Sequence, residues 1–416
     1  MDENDGVINR LTHSHEVSTL AKSIGTQIYR DSVQPTTSPE DLAKIQSILS
    51  TIGLAHDLGN PPFGHQGEAA ISEWFLERKD WIFEKEDEQG KDLTHPIPEE
   101  VRPEFLAFDG NPQTIRLLSK FKTSTDGDEH GLDLTAAAIA AAIKYAPSAS
   151  EVAEANVKGE KYGYFCSEQK IVEWARKQTG TGTDRRHQLT WIMEAADDIA
   201  YSVLDVEDSM KKRLFSPNDV MAIISAGSDL STLVQDIKKK FSAVDKLESP
   251  EVALDIKIDV LRNAFIDVLV NEAKAAFVDN FKPITDGEAH KNPLLDDSIL
   301  CKKLKIISRT QVFGHPAVLK REALGAEALK GLMTSFWNAI HAHDLDNHKE
   351  SKGVGAKNKY VFSLLSRNYL ASAVRSESQS QQGTIRYREL RLLTDMVSGM
   401  TDTFAIRLWK ELKNFI

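Results

Sequence analysis

This sequence contains little cysteine and no long run of apolar residues. Only two cysteines occur among 416 residues, Cys166 and Cys301. This excludes a disulfide framework and a cysteine-rich zinc module, and it fits a reducing cytoplasm. The longest apolar run, Ala136 to Ile143, is far shorter than the roughly 20 residues that span a bilayer. The acidic segment Met1 to Gly6 lacks the apolar core of a signal peptide. We therefore expect a cytoplasmic protein without a membrane partner.

Basic residues are outnumbered by acidic ones, 51 against 62, which gives a net charge of −11. This balance argues against a general nucleic-acid coat protein, although local basic patches stay open. Hydrophobic residues make up 41% and charged residues 27% of the chain. Both values are typical of globular proteins and exclude a disordered chain. The length predicts one large domain or two closely packed ones.

The apolar residues recur mostly at three- and four-residue spacing, which predicts an all-α fold. Alternating strand patterns are scarce. Ser38-Pro39 and Ser216-Pro217 are typical helix openings. The pattern is found in six segments: Leu42–Ile52, Thr114–Phe121, Leu134–Lys144, Leu189–Leu204, Val252–Phe277 and Thr394–Leu412.

Histidine and acidic residues are the candidates for chemistry. His56 and Asp57 follow an apolar helix and precede two prolines that end or bend it. Burying such a pair is costly unless something compensates its charge, and a divalent cation would do so. The alternative is a helix-end pair that is satisfied by its own hydrogen bonds.

Two further groups accompany that pair. Asp197, Tyr201 and Asp205 lie at intervals of four residues, so they share one helix face. A solvated acidic face is the alternative, but the neighbouring alanines favour close packing. His65 and Glu68 are three residues apart and can point into one space, which suits proton transfer, although a surface contact would give the same pattern.

These residues resemble motifs of the His-Asp (HD) superfamily, and within it the deoxyguanosine triphosphate triphosphohydrolases. The similarity extends from about residue 9 to about residue 405. It comprises Arg10-Leu-Thr-His13, His56-Asp-Leu-Gly-Asn-Pro-Pro-Phe-Gly-His-Gln-Gly-Glu68, Phe108-Asp-Gly-Asn-Pro-Gln-Thr-Ile-Arg116, Gly131-Leu-Asp-Leu-Thr135, Lys144-Tyr145, Lys161-Tyr-Gly-Tyr-Phe-Cys-Ser-Glu168, Glu194-Ala-Ala-Asp-Asp-Ile-Ala-Tyr201 and Gly399-Met-Thr-Asp402.

The resemblance implies a role for each matching residue. His13, His56, Asp57 and Asp197 would bind one divalent metal ion, with Mn²⁺ or Mg²⁺ favoured and Fe²⁺, Co²⁺, Ni²⁺ or Zn²⁺ compatible. His65 and Glu68 would be the catalytic acid/base pair. Lys144, Lys161 and Tyr201 would contact the triphosphate, Asp205 would lie near the sugar 3′-hydroxyl, and Arg391 is a weaker match to a base-recognising arginine. His15 lies about 200° from His13 around a helix, so it should not share the metal.

The resemblance also implies hydrolysis of a deoxynucleoside triphosphate, with dGTP favoured, to a deoxynucleoside and inorganic triphosphate. It further implies a homo-oligomer, a hexamer being favoured, and a dNTP or single-stranded DNA as effector. Two alternatives stay open: an HD phosphohydrolase of another nucleotide, such as a monophosphate, and a catalytically weak regulator that binds nucleotide or DNA.

The same resemblance predicts how the chain is organised. Residues 1–210 should form an HD-type catalytic helical core. Residues 211–416 should add helices that close the pocket, supply Arg391 and contribute oligomer contacts, without folding independently. Family members usually carry a sizeable segment before the Arg-Leu-Thr-His motif, including residues that contact the sugar and base, whereas nine residues precede Arg10 here.

Overall fold

The computed structural model describes residues 10–33, 37–83, 97–120, 131–155, 160–227, 229–286, 292–312, 316–343, 345, 354–375 and 384–414. Within these ranges the regular structure is helical, and the one extended pairing is an isolated bridge between Ser148 and Tyr164. This confirms the all-α fold class. None of the described helices has an apolar stretch long enough to cross a bilayer.

The described residues form α-helices connected by turns and by short 3₁₀ and π segments. In chain order the α-helices are α1 (Arg10–Ile28), α2 (Pro39–Ala55), α3 (His65–Leu76), α4 (Lys79–Ile82), α5 (Pro103–Leu106), α6 (Gly110–Lys120), α7 (Ala136–Ala142), α8 (Ala149–Ala155), α9 (Gln169–Thr179), α10 (Gln188–Lys211), α11 (Pro217–Ile224), α12 (Ser231–Val244), α13 (Pro250–Asp279), α14 (Phe281–Asp286), α15 (Ile299–Ile307), α16 (Pro316–Ala342), α17 (Ala356–Ser363), α18 (Arg367–Arg375), α19 (Ile385–Ser398) and α20 (Asp402–Lys413). The 3₁₀ turns are Glu99–Val101 and Cys166–Glu168, and the π turns are Tyr29–Val33 and Ser308–Val312.

Both predicted helix openings are confirmed. The Ser38 hydroxyl accepts the Asp41 N–H at 3.1 Å, and α2 begins at Pro39, the residue after Ser38. Ser216 and Asp219 form a reciprocal capping box at the start of α11. In each case the serine satisfies a backbone donor that the first helical turn leaves without an intrahelical partner.

One predicted segment is wrong as a continuous helix. The residues from Thr394 to Leu412 are divided between α19, which ends at Ser398, and α20, which begins at Asp402. Thr401 takes an extended conformation, and its hydroxyl accepts the Phe404 N–H at 3.3 Å. A threonine that caps the following turn offers the backbone an alternative to continued helix, which apolar spacing does not reveal.

The described residues pack as two compact units. The first lies within Met1–Ala55 and Arg186–Leu319, and the second within His56–Arg185 and Lys320–Ile416. The predicted division at residue 210 separates a catalytic core from helices that close the pocket. It is a division by role and not by packing, and it stays a prediction.

The first unit is built around α10. This helix packs on α1, α2, α13 and α15 within the unit. Its residues Ala195, Ala196 and Ala200 are buried, as their small size suggested. Helices α1 and α2 approach each other closely at Gly53, where a Cβ atom would lie 2.6 Å from the Ser18 Cα.

The second unit has an aromatic core and buried ion pairs. Phe75 and Phe105 pack with their ring centroids 5.2 Å apart, among apolar residues of α3, α16, α19 and α20. The Arg116 guanidinium donates two hydrogen bonds of 2.7 Å to Asp395 and one of 3.0 Å to Glu168. A bidentate arrangement of this kind compensates the loss of water around buried charges.

Gly53→Ala is expected to lower the free energy of unfolding by about 1–3 kcal/mol, because the added methyl group must separate α1 from α2. Urea unfolding measures the change. Ser47→Ala, on an exposed position of the same helix, should stay within about 0.5 kcal/mol of wild type. Equal stability of Gly53→Ala and wild type would contradict the close approach.

Candidate functional site

His13 and Asp197 form a close pair inside the first unit. Their Nε2 and Oδ1 atoms are 3.3 Å apart, and the side chains are 17% and 21% exposed. The packing of α1 on α10 brings them together across 184 positions of sequence. His15, in contrast, lies on the exposed side of α1. The pair offers an imidazole nitrogen and a carboxylate oxygen, which are both common ligands of divalent metals.

The α10 face that carries Asp197 also carries Tyr201 and Asp205. Burial, together with repulsion from Asp208, raises the pKa of the Asp205 carboxyl to about 6, although His13 acts in the opposite direction. Burial and the nearby Asp205 and Asp197 carboxylates also raise the pKa of Tyr201. Tyr201 therefore keeps its phenolic proton at neutral pH and can donate a hydrogen bond.

Other acidic residues of α10 are neutralised by basic side chains. Lys305 approaches Asp198 to 2.8 Å, and Lys212 approaches Asp208 to 2.6 Å. Neither carboxylate is freely solvated, since their side chains are 23% and 16% exposed. The acids of this helix are therefore mostly built into the unit, contrary to a solvated acidic face.

His56 and Asp57 begin the second unit directly after α2 ends at Ala55. The His56 Nε2 and Asp57 Oδ1 atoms are 3.4 Å apart, and the imidazole is 5% exposed. Asn60 donates its amide to Asp57 Oδ1 at 2.7 Å. The turn is held by Thr114, whose hydroxyl accepts the Gly59 N–H at 2.9 Å and donates to the His56 carbonyl at 3.3 Å.

Gly59 is needed for that turn. A Cβ atom at this position would lie 2.2 Å from the Thr114 nitrogen and 2.3 Å from the Gly110 carbonyl oxygen, both of which are backbone atoms of α6. The segment after His56-Asp57 can therefore lie directly on α6 only because residue 59 has no side chain.

His65 and Glu68 form a hydrogen-bonded dyad on the first turn of α3. The His65 Nδ1 and Glu68 Oε2 atoms are 2.9 Å apart. The other carboxylate oxygen, Oε1, accepts the Gly110 N–H at 2.8 Å. Glu68 is fixed from two sides and 12% exposed, whereas the imidazole is 84% exposed. The hydrogen bond that His65 donates to the Glu68 carboxylate raises the pKa of His65 more than partial desolvation lowers it, so the imidazole is a stronger base than a free histidine.

Two of the predicted triphosphate contacts lie elsewhere in the second unit. The Lys161 Nζ is 2.9 Å from Asp109 Oδ2 and 5.5 Å from the Tyr145 ring centre. Burial lowers the pKa of Lys161, but Asp109 and Tyr145 outweigh it and the net shift is upward. Lys144 is half-buried just after α7.

Arg391 lies in the interior of the second unit. Its guanidinium donates to Glu104 Oε2 at 2.6 Å and to the Tyr387 hydroxyl at 3.2 Å. It also lies 3.6 Å from the ring centre of Phe165 and is 2% exposed. Within this unit the guanidinium is therefore bound by other side chains of the protein. The role of Arg391 in recognising a base stays a prediction.

The motifs included two further functional candidates without giving either a role. Asp109 pairs with Lys161, and Asp402 accepts the Phe63 N–H at 3.1 Å. Both residues lie in family-like segments of the sequence, but no spacing rule connects residues 52 or 339 positions apart.

The sequence matches no family model. It is similar to curated proteins over nearly its whole length. A deoxyguanosinetriphosphate triphosphohydrolase-like protein of Listeria monocytogenes is 31% identical, over 99% of this chain and 88% of that protein. A protein with the same description in Pseudomonas aeruginosa is 30% identical, over 99% and 87%. The deoxyguanosinetriphosphate triphosphohydrolase of Enterobacter sp. is 28% identical, over 100% and 88%.

Glu68→Gln is expected to lower the pKa of His65, because the amide preserves the shape of the side chain but removes the charge that stabilises the imidazolium. A titration of labelled histidine resonances measures this, with His65→Asn identifying the signal. Glu73→Gln removes an exposed carboxylate from the same helix and should leave the His65 titration unchanged. An identical pKa in Glu68→Gln and wild type would disprove the coupling.

Proposed function

This chain belongs to the family of deoxyguanosinetriphosphate triphosphohydrolase-like proteins, and from that premise we propose that it hydrolyses a deoxynucleoside triphosphate. The favoured substrate is dGTP, and the products are the deoxynucleoside and inorganic triphosphate. The observation that carries the proposal is the His65–Glu68 dyad, with its 2.9 Å contact and its backbone anchor at Gly110. The dyad lies in the same thirteen-residue motif as the His56–Asp57 pair.

We further propose that His13, His56, Asp57 and Asp197 bind one divalent cation, with Mn²⁺ or Mg²⁺ favoured. Two observations support the fit. His13 and Asp197 already lie 3.3 Å apart in a partly buried position. The nearly buried His56 has the Asp57 carboxylate beside it. A bound cation of this kind supplies Lewis-acid polarisation of a phosphate group and a water molecule of lowered pKa.

The role proposed for His65 is to donate a proton to the 5′-oxygen as it leaves the α-phosphorus. Three features support this role: the imidazole is exposed, its Nδ1 is engaged by Glu68, and its pKa is raised. The Nε2 atom is then the proton-carrying atom that substrate can reach. Glu68 orients the ring and stabilises its charged form, and the Gly110 N–H keeps the carboxylate in place.

Cationic side chains must offset the charge of the triphosphate, because it carries about four negative charges and the protein is negative overall. Lys161 suits this role because its side chain is 45% exposed while Asp109 holds its ammonium group in place. Lys144 and Tyr201 are proposed as further phosphate contacts. Asp205 is proposed to lie near the 3′-hydroxyl, and Arg391 near the base.

The assembly and its regulation belong to the same proposal. We expect a cytoplasmic homo-oligomer, for which a hexamer is favoured, and a dNTP or single-stranded DNA as effector. Rates with each dNTP alone and in mixtures, with Mn²⁺ present, address the substrate and the effector together. Release of triphosphate supports the proposed reaction, whereas release of orthophosphate indicates a different nucleotide phosphohydrolase.

His65→Ala is expected to lower kcat by about 10²–10⁴-fold, the usual contribution of a general acid, while Mn²⁺ binding is retained. Steady-state kinetics with dGTP and calorimetric Mn²⁺ titration measure the two properties. Gln66→Ala, which changes the neighbouring exposed residue, should keep turnover near the wild-type rate. Wild-type turnover by His65→Ala would refute the assignment.

Asp197→Ala is expected to lose the metal, because one carboxylate ligand is removed and His13 loses its partner. Elemental analysis of the purified protein after Mn²⁺ loading measures the occupancy. His13→Ala should behave in the same way, whereas His15→Ala, on the exposed side of the same helix, should retain the metal. Full occupancy in Asp197→Ala would count against the ligand set.

A further inference from the structure

The turn before His65 has an unusual backbone conformation. Phe63 and Gly64 both have positive φ angles, 67° and 57°. Glycine adopts such angles freely, but phenylalanine pays a steric penalty there. A strained residue keeps its conformation only when its surroundings hold it, and such residues cluster at functional sites. The contacts of Phe63 therefore identify what holds the turn.

The first contact is made by the backbone of Phe63. Its N–H donates to Asp402 Oδ1 at 3.1 Å, across 339 positions of sequence and within the second unit. Asp402 is the first residue of α20, and Thr401 caps that helix. A carboxylate in this position is stabilised by the partial positive charge of the helix N-terminus. The acceptor therefore belongs to the first turn of α20, a different element from the turn that it holds.

The second contact is made by the Phe63 ring. It packs on Gly325 of α16, where a Cβ atom would lie 2.6 to 2.8 Å from three ring carbons. The ring can occupy this place only because residue 325 has no side chain. Backbone and ring are thus held by two different helices, α20 and α16, and the contacting residues Asp402 and Gly325 both lie in the second unit.

The conformation of this turn sets the position of the dyad. Gly64 is the N-cap residue of α3, its carbonyl accepts the Glu68 N–H at 3.0 Å, and its own N–H donates to Pro61 at 3.1 Å. His65 is the next residue. If the backbone at Phe63 relaxed to a negative φ, the start of α3 would rotate, and the imidazole with it.

We propose that Asp402 is a positioning residue for His65. Asp402 acts by holding Phe63 in its strained conformation, with the Phe63 ring packed against Gly325 of α16. This inference rests on the proposed function, because the turn positions the histidine that is proposed to transfer the proton. The Asp402 hydrogen bond offsets the strain at Phe63, and without it the turn loses one of its two anchors.

The test compares Asp402→Ala with Asp402→Asn, because asparagine can still present an oxygen to the Phe63 N–H. Asp402→Ala is expected to lower kcat by about 10–100-fold, the order of loss for a catalytic group displaced by about 1 Å. KM and Mn²⁺ affinity should change little. Asp402→Asn should restore kcat to within about threefold of wild type, an allowance for a weaker, uncharged acceptor. Loss of kcat in both variants alike, or in neither, would overturn the proposal.

Arg321→Met is the matched control for charge. Arg321 lies 3.5 Å from the other Asp402 oxygen and is 67% exposed, so this variant removes the ion pair while Asp402 keeps its hydrogen bond to Phe63. Wild-type kcat is expected. A loss equal to that of Asp402→Ala would assign the effect to the ion pair and overturn the proposal.

A readout that does not need turnover separates this inference from the proposed function. In Asp402→Ala the pKa of His65 should fall towards that of Glu68→Gln, because a displaced imidazole loses its hydrogen bond to Glu68. If the wild-type protein hydrolyses no dNTP, the proposed function fails, and this titration still decides the positioning role. An unchanged His65 titration in a folded Asp402→Ala would overturn it.

Gly325→Ala is the second variant, in case Asp402→Ala does not fold. Alanine favours the interior of α16 more than glycine does, so a folded protein is expected. Its methyl group should displace the Phe63 ring, lowering kcat and the His65 pKa together. Wild-type values of both would overturn the proposal.

Discussion

The candidate site depends on the Glu68 carboxylate, which accepts two hydrogen bonds at once. One comes from the imidazole of His65 and the other from the backbone N–H of Gly110. The backbone bond ties the carboxylate to the start of α6, so its position follows from helix packing and not from its own rotamer. This rigidity allows an exposed histidine to have a defined orientation and a raised pKa without being buried.

The basic side chains of the second unit lie in two different environments. Arg116 and Arg391 lie in the interior, where Asp395, Glu168 and Glu104 neutralise them. Lys161 is held by the single carboxylate of Asp109, and its side chain stays nearly half-exposed. Buried ion pairs are costly to break but contribute little net stability, so the arginines suit a fixed interior. An exposed, singly paired lysine suits exchange with a phosphate group.

Close backbone approaches recur within each of the two units. Gly53 lets α1 and α2 meet, Gly59 lets the His-Asp turn lie on α6, and Gly325 admits the Phe63 ring. At each position a methyl group would collide with a backbone atom or an aromatic ring. The reactive side chains thus stand on segments whose spacing is set by the lack of a side chain, which leaves little room for the turn to relax.

Local pattern was sufficient for the fold class and for helices such as α2, α10 and α13, because the apolar spacing and the serine caps act within a few residues. It failed at Gly399–Thr401, where a threonine cap ends one helix inside an apparently continuous apolar pattern. The His65–Glu68 contact was predictable from its spacing on one helical turn, and the structure confirms that the two side chains meet. The identity of the family was also contained in the motifs.

Tertiary structure alone decided the contacts between distant segments. The resemblance implied that His13 and Asp197 share a metal ion, but the spacing of residues alone does not indicate that they meet. Nothing in the sequence indicated that Asp109 pairs with Lys161, or that Arg391 lies among aromatic rings against Glu104. These pairings depend on which helix faces pack together, and that is a property of the whole core. The sequence by itself determined which chemical groups the protein carries and on which helices. The packing decided which of them can act on the same atom.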